Sequence, residues 1–263
     1  MKVALAQIEA IAGDIEGNVA KIADCAGRAA ACGCGAVLFP ELSDTGYDLD
    51  VVRRSASVWP QGAVAERLGD VARRERIFVL AGVAERCGEN LYNACMVLNP
   101  EGALVARYRK SHLFTLTDEA QCFTHGEGVC AVPIGDSLWG LSICYDLRFP
   151  ELYRMLALKH GAQVLAECSA WPRVRLAHWD VLTRARAVEN QAWMLAVNQV
   201  GGSGAGTHAF GGHSRVIDPW GQVVAEASAE EELLVAEIDP ALVAQCRQKI
   251  PALRDARPEL WHW

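Results

Sequence analysis

The sequence has no CxxC pair, no low-complexity segment and no apolar run approaching the roughly 18 residues of a membrane span. The last absence leaves no membrane helix to expect. Met1–Glu9 also carries too short an apolar stretch for a signal peptide, so the expectation is a soluble, cytoplasmic protein. Clusters of basic charge are missing too. The 25 Lys and Arg are scattered among 32 Asp and Glu, for a net charge of −7, which argues against nucleic acid and anionic membrane as partners. The 10 cysteines show no metal-binding rhythm: Cys32 and Cys34 form a CxC, and Cys122 and Cys130 stand eight apart. A zinc site needs several ligands at matched spacings, so no metal is expected, and most of these thiols read as small core residues.

What is present is a chain of 263 residues, 51% hydrophobic, enough for one large core. Strand-like runs at Val3–Ile8, Ala36–Phe39, Ile77–Val83, Ala94–Leu98, Ala103–Arg107, Leu138–Cys144, Gln163–Ala166, Ala192–Asn198, Ser214–Ile217, Gln222–Ala225 and Leu233–Ile238 alternate with helical stripes. That pattern predicts an α/β fold with sheets covered by helices. Val97–Gly102 and Val216–Gly221 are both Val-apolar-Asx-Pro-x-Gly between two strand runs, a turn signature that points to two similar halves. No linker separates the halves. A single domain over 1–263 is expected, with the apolar and aromatic tail of 240–263 (Leu253, Leu260, Trp261, Trp263) at an oligomer interface.

Three strand ends carry reactive side chains. The run into Cys144 is followed by Pro150, placed to open a helix. A thiol at the carboxyl end of a sheet strand sits where α/β proteins build their sites, and nearby cations and N–H groups can hold it as thiolate. Val37-Leu38-Phe39-Pro40 delivers Glu41, and Arg107-Tyr108-Arg109 delivers Lys110, one of only five lysines. A nucleophile, a base and a cation are thus available.

Phe39-Pro40-Glu41, Tyr108–Phe114 and Ile143–Glu151 resemble, in order and spacing, the three signature segments of the nitrilase superfamily of carbon–nitrogen hydrolases. Glu119–Gly126, Arg184–Asn190 and Gly212–Gly221 extend the likeness over nearly the whole chain. The resemblance implies a four-layer αββα sandwich with two central mixed sheets, assembled as a homodimer or larger even oligomer and needing no cofactor. It carries catalytic roles onto Glu41, Lys110, Cys144 and Glu119. Glu41 would take the thiol proton as Cys144 attacks an amide carbonyl, and Lys110 with the Tyr145 N–H would face the oxyanion. Ammonia would leave behind a thioester for water to cleave.

The loop Ser169–Arg175 would line the acyl pocket, with Trp171 limiting its size and Arg173, Arg175 or Arg148 clamping a substrate carboxylate. The Cys-Tyr-Asp-Leu-Arg-Phe-Pro segment is closer to the amidase branches than to true nitrilases. Omega-amidases, which cleave monoamides of dicarboxylates such as alpha-ketoglutaramate, lead. Aliphatic amidases, deaminated-glutathione amidases and carbamoyl-amine hydrolases follow. Two other readings compete: a Cys–His hydrolase in which His112, His178 or His213 serves Cys144, and a non-catalytic scaffold. Gly201–Gly206 has dinucleotide-like glycine spacing but no amphipathic helix after it, so it reads as a flexible loop near the site mouth, and His208 as a hydrogen-bonding loop residue.

Overall fold

The computed structural model describes residues 1–202 and 209–260. The 203–208 stretch, with His208, and the tail residues Trp261 and Trp263 lie outside the described residues. The first sheet holds β1 (Lys2–Gln7), β2 (Ala36–Phe39), β3 (Ser57–Val58), β4 (Phe78–Cys87), β5 (Asn90–Leu98), β6 (Leu104–Arg109) and, from the far end of the chain, β13 (Glu232–Glu237). The second holds β7 (Ala131–Ile134), β8 (Ser137–Ile143), β9 (Val164–Ser169), β10 (Trp193–Asn198), β11 (Arg215–Ile217) and β12 (Val223–Glu226). Helices α1 (Ile15–Ala31) and α3 (Ala63–Glu75) cover the outside of the first sheet; α5 (Pro150–Leu158) and α6 (Leu176–Asn190) cover the second. The sheets pack on each other through β1, β2, β4 and β5 against β8, β9 and β10, completing the αββα sandwich.

Strand alternation builds this arrangement. In β2, Val37 and Phe39 join the core under α1 and α3, while Ala36 and Leu38 join the core between the sheets. Successive side chains leave opposite faces of a strand, so a strand buried on both faces must be apolar throughout. Helix α1 starts where the Asp14 carboxylate accepts from the Gly17 N–H, and it buries Val19, Ile22, Cys25, Ala26 and Ala29 on one stripe. Pro150 is the first residue of α5, where its missing N–H removes no helical bond.

The two halves repeat each other. Along the first sheet β1, β2 and β4 are parallel, then β5 and β6 fold back; β8, β9, β10, β11 and β12 do the same in the second. Each set gains one antiparallel edge strand, β13 beside β1 and β7 beside β8. The two predicted turns close alike. Gly102 and Gly221 take φ of +78° and +84°, and their N–H groups donate to Asn99 O and Asp218 O at 2.8 and 2.9 Å. Asn99 Oδ1 accepts from Glu101 and Ala103, as Asp218 Oδ1 does from Trp220 and Gln222.

The structure corrects the predicted elements at several places. β9 continues past Ala166 to Ser169, and β4 past Val83 to Cys87. β7, interrupted by Pro133, is an edge strand, where proline is tolerated. Helices α2 (Leu49–Ser55), α4 (Glu119–Cys122) and α7 (Pro240–Lys249) complete the described α-helices. α7 buries Val243 and Cys246 within its own chain. No described helix is long and apolar enough to cross a membrane.

Candidate active site

Glu41, Lys110, Glu119 and Cys144 come together where the carboxyl ends of β2 and β8 and the segment after β6 meet. Glu41 follows β2 and is fully buried. Its Oε1 accepts from Lys110 Nζ at 2.8 Å and Asn93 Nδ2 at 2.7 Å; its Oε2 accepts from the Ala170 N–H at 2.9 Å. Gln199 Nε2 donates to the Glu41 carbonyl at 2.6 Å. Gly82 of β4 lies so close that a Cβ there would stand 2.3 Å from Pro40 O and 2.6 Å from Glu41 Cα. Only a residue without a side chain admits this approach of backbones.

Lys110 is held by its backbone to the end of β5, its N–H donating to Asn93 O at 2.8 Å. Its ammonium donates to Glu119 Oε1 at 2.6 Å as well as to Glu41. Glu119 opens α4, and its Oε2 accepts from the Phe114 N–H at 2.7 Å. Burial opposes the Lys110 charge, but the Glu119 and Glu41 carboxylates outweigh it and hold the ammonium well above its ordinary range. Burial pushes the Glu119 carboxyl up, Lys110 pulls it down and the Glu41 charge adds to the rise.

Cys144 stands immediately after β8 with φ +49°, a left-handed conformation unusual for a side-chain-bearing residue and typical of strained functional turns. Asp146 fixes this turn. Its Oδ2 accepts from the Ile143 N–H at 3.0 Å and Tyr108 Oη at 2.8 Å, and its Oδ1 accepts from the His112 N–H at 3.0 Å. Burial, then the Glu41 charge, raise the Cys144 thiol well above its ordinary range, with Lys110 and the Ala170 N–H pulling the other way. These directions, burial first and the Glu41 charge second, favour a neutral thiol. Attack needs a base.

The histidines do not supply it. His112 Nδ1 lies 2.7 Å from Asp146 Oδ1 and its ring stacks on Phe149, 3.7 Å between centroids. His178 Nδ1 faces Arg148 at 3.3 Å, and His213 Nδ1 faces Glu226 at 3.0 Å. Among the described residues no group of three or more His, Cys, Asp or Glu is placed to hold a metal.

The cavity over Cys144 is walled by Tyr47, Phe114, Tyr145, Trp171 and Phe210, with Lys110 at its floor. Trp171 is anchored by its N–H donating to Asn198 Oδ1 at 2.6 Å and its indole Nε1 to Arg175 O at 2.9 Å. Arg148 and Arg175 both line the cavity, their guanidinium carbons 4.7 Å from the Trp171 ring and 5.6 Å from the Phe114 ring. Neither forms an ion pair with a described residue. Burial, then the charge of Arg175, lower the pKa of Arg148, so an anion between the two guanidiniums would be stabilised. Arg173, in the single turn Arg173–Arg175, is exposed and is not among the residues lining the cavity.

This geometry agrees with a match of residues 2–248 to the carbon–nitrogen hydrolase family model. The chain belongs to the carbon–nitrogen hydrolase family. It is 40% identical over 235 residues to a 2-oxoglutaramate amidase of Bacillus subtilis, covering 86% of each chain. It is 33% identical over 264 residues to human omega-amidase NIT2, covering 97% of this chain and 94% of that one. Among solved structures, a variant of the Nesterenkonia sp. AN1 amidase with acrylamide added at its active-site cysteine superposes with a TM-score of 0.89 at 29% identity, over 99% of this chain and 98% of that one.

Sequence reading missed Asn93, Gln199, Tyr47 and Phe114. Asn93 had a signal, being a lone amide inside the apolar run Leu91–Leu98. Tyr47 arrives by the loop after Glu41 and packs edge-on against Phe210, 5.9 Å between centroids.

Proposed function

We propose that this hydrolase is an omega-amidase, cleaving the terminal amide of a small dicarboxylate monoamide to ammonia and the dicarboxylate. Glu41, its Oε2 held by the Ala170 N–H, lies close enough for its charge to act on the Cys144 thiol, which sets base beside nucleophile. Glu41 takes the thiol proton as sulfur attacks the amide carbon, and the carbonyl electrons move to an oxyanion facing Lys110 and the Tyr145 N–H. One such donor is typically worth about 10²–10³ in rate. As the C–N bond breaks, Glu41 returns the proton to nitrogen and ammonia leaves a thioester on Cys144. Glu41 then activates water, which frees the acid and restores the thiol. Glu119 keeps Lys110 charged and oriented throughout.

The observation that carries the substrate is the pair of guanidiniums, Arg148 and Arg175, over the same cavity as Cys144 and without an ion pair among the described residues. A planar carboxylate matches them in bidentate fashion. The Bacillus relative's name, 2-oxoglutaramate amidase, points to the same class. The reaction belongs in the cytoplasm, since all ten cysteines are free, as a reducing compartment keeps them. The working unit is a homodimer: Val174, Val181 and Val188 leave an exposed apolar stripe at seven-residue spacing on and before α6, suited to a second copy together with the 240–263 tail.

The test is ammonia release from 2-oxoglutaramate, succinamate, a neutral aliphatic amide and a carbamoyl amine, with wild type beside Cys144→Ala. Preference for the acidic monoamides and no release by the variant are expected. Release that survives the substitution overturns the mechanism, and preference for the neutral amide overturns the substrate.

A further inference from the structure

A second buried carboxyl lies behind the nucleophile, outside the mechanism above. Glu167 sits in the middle of β9, fully buried, facing away from the inter-sheet core that its neighbour Cys168 joins. It is paired in register with Ser142 of β8, two residues before Cys144. Ser142 Oγ donates to Glu167 Oε2, and Tyr153 Oη of α5 donates to the same oxygen at 2.7 Å. Ser169 Oγ donates to Oε1 at 2.8 Å. Tyr153 Oη also lies 2.9 Å from Ser142 Oγ, closing the network. One carboxyl thus ties the strand that ends in Cys144, the helix after the Cys144 turn, and the end of β9 one residue before Ala170, whose N–H holds Glu41.

No described cation bonds to this carboxyl. The charged and titratable groups around it are few. Asp146 in the Cys144 turn is an acid. Tyr153 and Ser142 are neutral donors. From α6 comes Arg186, its guanidinium carbon 5.4 Å from the Tyr153 ring centroid and its N–H groups committed to Leu147 O and Glu189. β10 presents only Ala196 in register with Glu167. The Ser142, Tyr153 and Ser169 hydroxyls all donate to this carboxyl, and with no described cation in contact its full burial disfavours the anion.

We propose that Glu167 is a positioning residue that works as a neutral carboxylic acid, bracing the Cys144 turn against the Ala170 amide, so that loss of its proton lowers turnover. The inference rests on the thiol mechanism above. Burial pushes the Glu167 carboxyl up to about 8, with Ser142 and Tyr153 pulling it down and Asp146 adding to the rise. Its anion opposes ionisation of the Cys144 thiol.

The experiment is the pH profile of kcat/KM on the best amide for wild type, Glu167→Gln, Glu167→Ala and Tyr153→Phe, with Cys144→Ala as the blank. Wild type is expected to fall above pH about 8, by as much as tenfold per unit. Glu167→Gln keeps the hydrogen-bonding shape without the titration, so it should lose the fall; Glu167→Ala should lower kcat at every pH with little change in KM. Tyr153→Phe removes a donor to the anion and should move the fall to higher pH. A wild-type fall that persists in Glu167→Gln, or a folded Glu167→Gln as slow as Glu167→Ala at pH 7, overturns the proposal. Should Glu167→Gln not fold, an unshifted fall in Tyr153→Phe overturns it instead. Activity in Cys144→Ala refutes the underlying mechanism, a different result from any of these.

Discussion

Two fully buried carboxyl clusters flank the same short segment, Glu167–Ala170, and the chain treats them in opposite ways. Glu41 and Glu119 surround an ammonium, accept from Asn93, and keep Lys110 charged in a place where burial alone would discharge it. Glu167 meets only hydroxyls, and burial drives it toward the protonated form. Asp44 lies between these cases: it accepts backbone N–H bonds from Ala84 and Thr45 but has no cation, and burial raises it to about 7. The difference teaches that depth does not decide the charge of a buried acid here. The partner does. Charge is concentrated where a proton must be moved, and it is withheld where strands must be held.

The comparison breaks most severely at Lys110. Lys110→Met leaves two carboxylates facing each other without a counter-ion. Turnover should vanish, and urea unfolding should show a loss of about 3–5 kcal/mol, as for one half of a buried pair. Retained stability would mean that the two acids share a proton at little cost. Gly82→Ala comes next, because it moves Glu41 without changing any charge: its Cβ would enter the backbone of Pro40 and Glu41. A misplacement of about 1 Å can cost about 10²-fold in rate. The check is kcat for this variant beside the circular dichroism of the fold.

Asp44→Asn sharpens the neutral side. The folded carboxyl is raised from its usual 3.8 to about 7. Its favourable contribution is therefore complete below pH 3.8 and is lost as pH rises to 7, where folding must bury an anion. Plotted as Tm against pH, wild type should decline over that window more steeply than Asp44→Asn. Equal slopes would show Asp44 ionised in both states. The smallest effect is at the surface, where Arg67 and Glu16 pair with side chains 39% and 83% exposed. Glu16→Ala should change stability by no more than about 1 kcal/mol.

Much of the charged cluster was legible because its members stand at the ends of apolar strand runs. Glu41, Lys110 and Cys144 each follow such a run, and strand ends of a buried sheet are forced together by the fold. The repeated Asx-Pro-x-Gly turn likewise revealed the duplicated topology. The neutral cluster was not legible. Glu167 reads as the end of a strand, because an acid in an apolar run looks like the surface; only the hydroxyls of Ser142, Tyr153 and Ser169, brought together from three elements, make its burial tolerable. Which of the three arginines reach the cavity was not legible for a different reason. Arg173 and Arg175 stand in one short turn, and its rotation, invisible in the sequence, gives the cavity to Arg175.

The central claim is that the Glu41 carboxylate, held between Lys110 and the Ala170 amide, is the base for a neutral thiol. Its most direct test is kcat/KM for ammonia release from 2-oxoglutaramate by Glu41→Gln beside wild type. A loss of about 10²–10⁴ is expected for removal of a general base, with the fold and the Lys110 environment preserved by the isosteric amide. Turnover within a few-fold of wild type would contradict the account and return the proton to some other group.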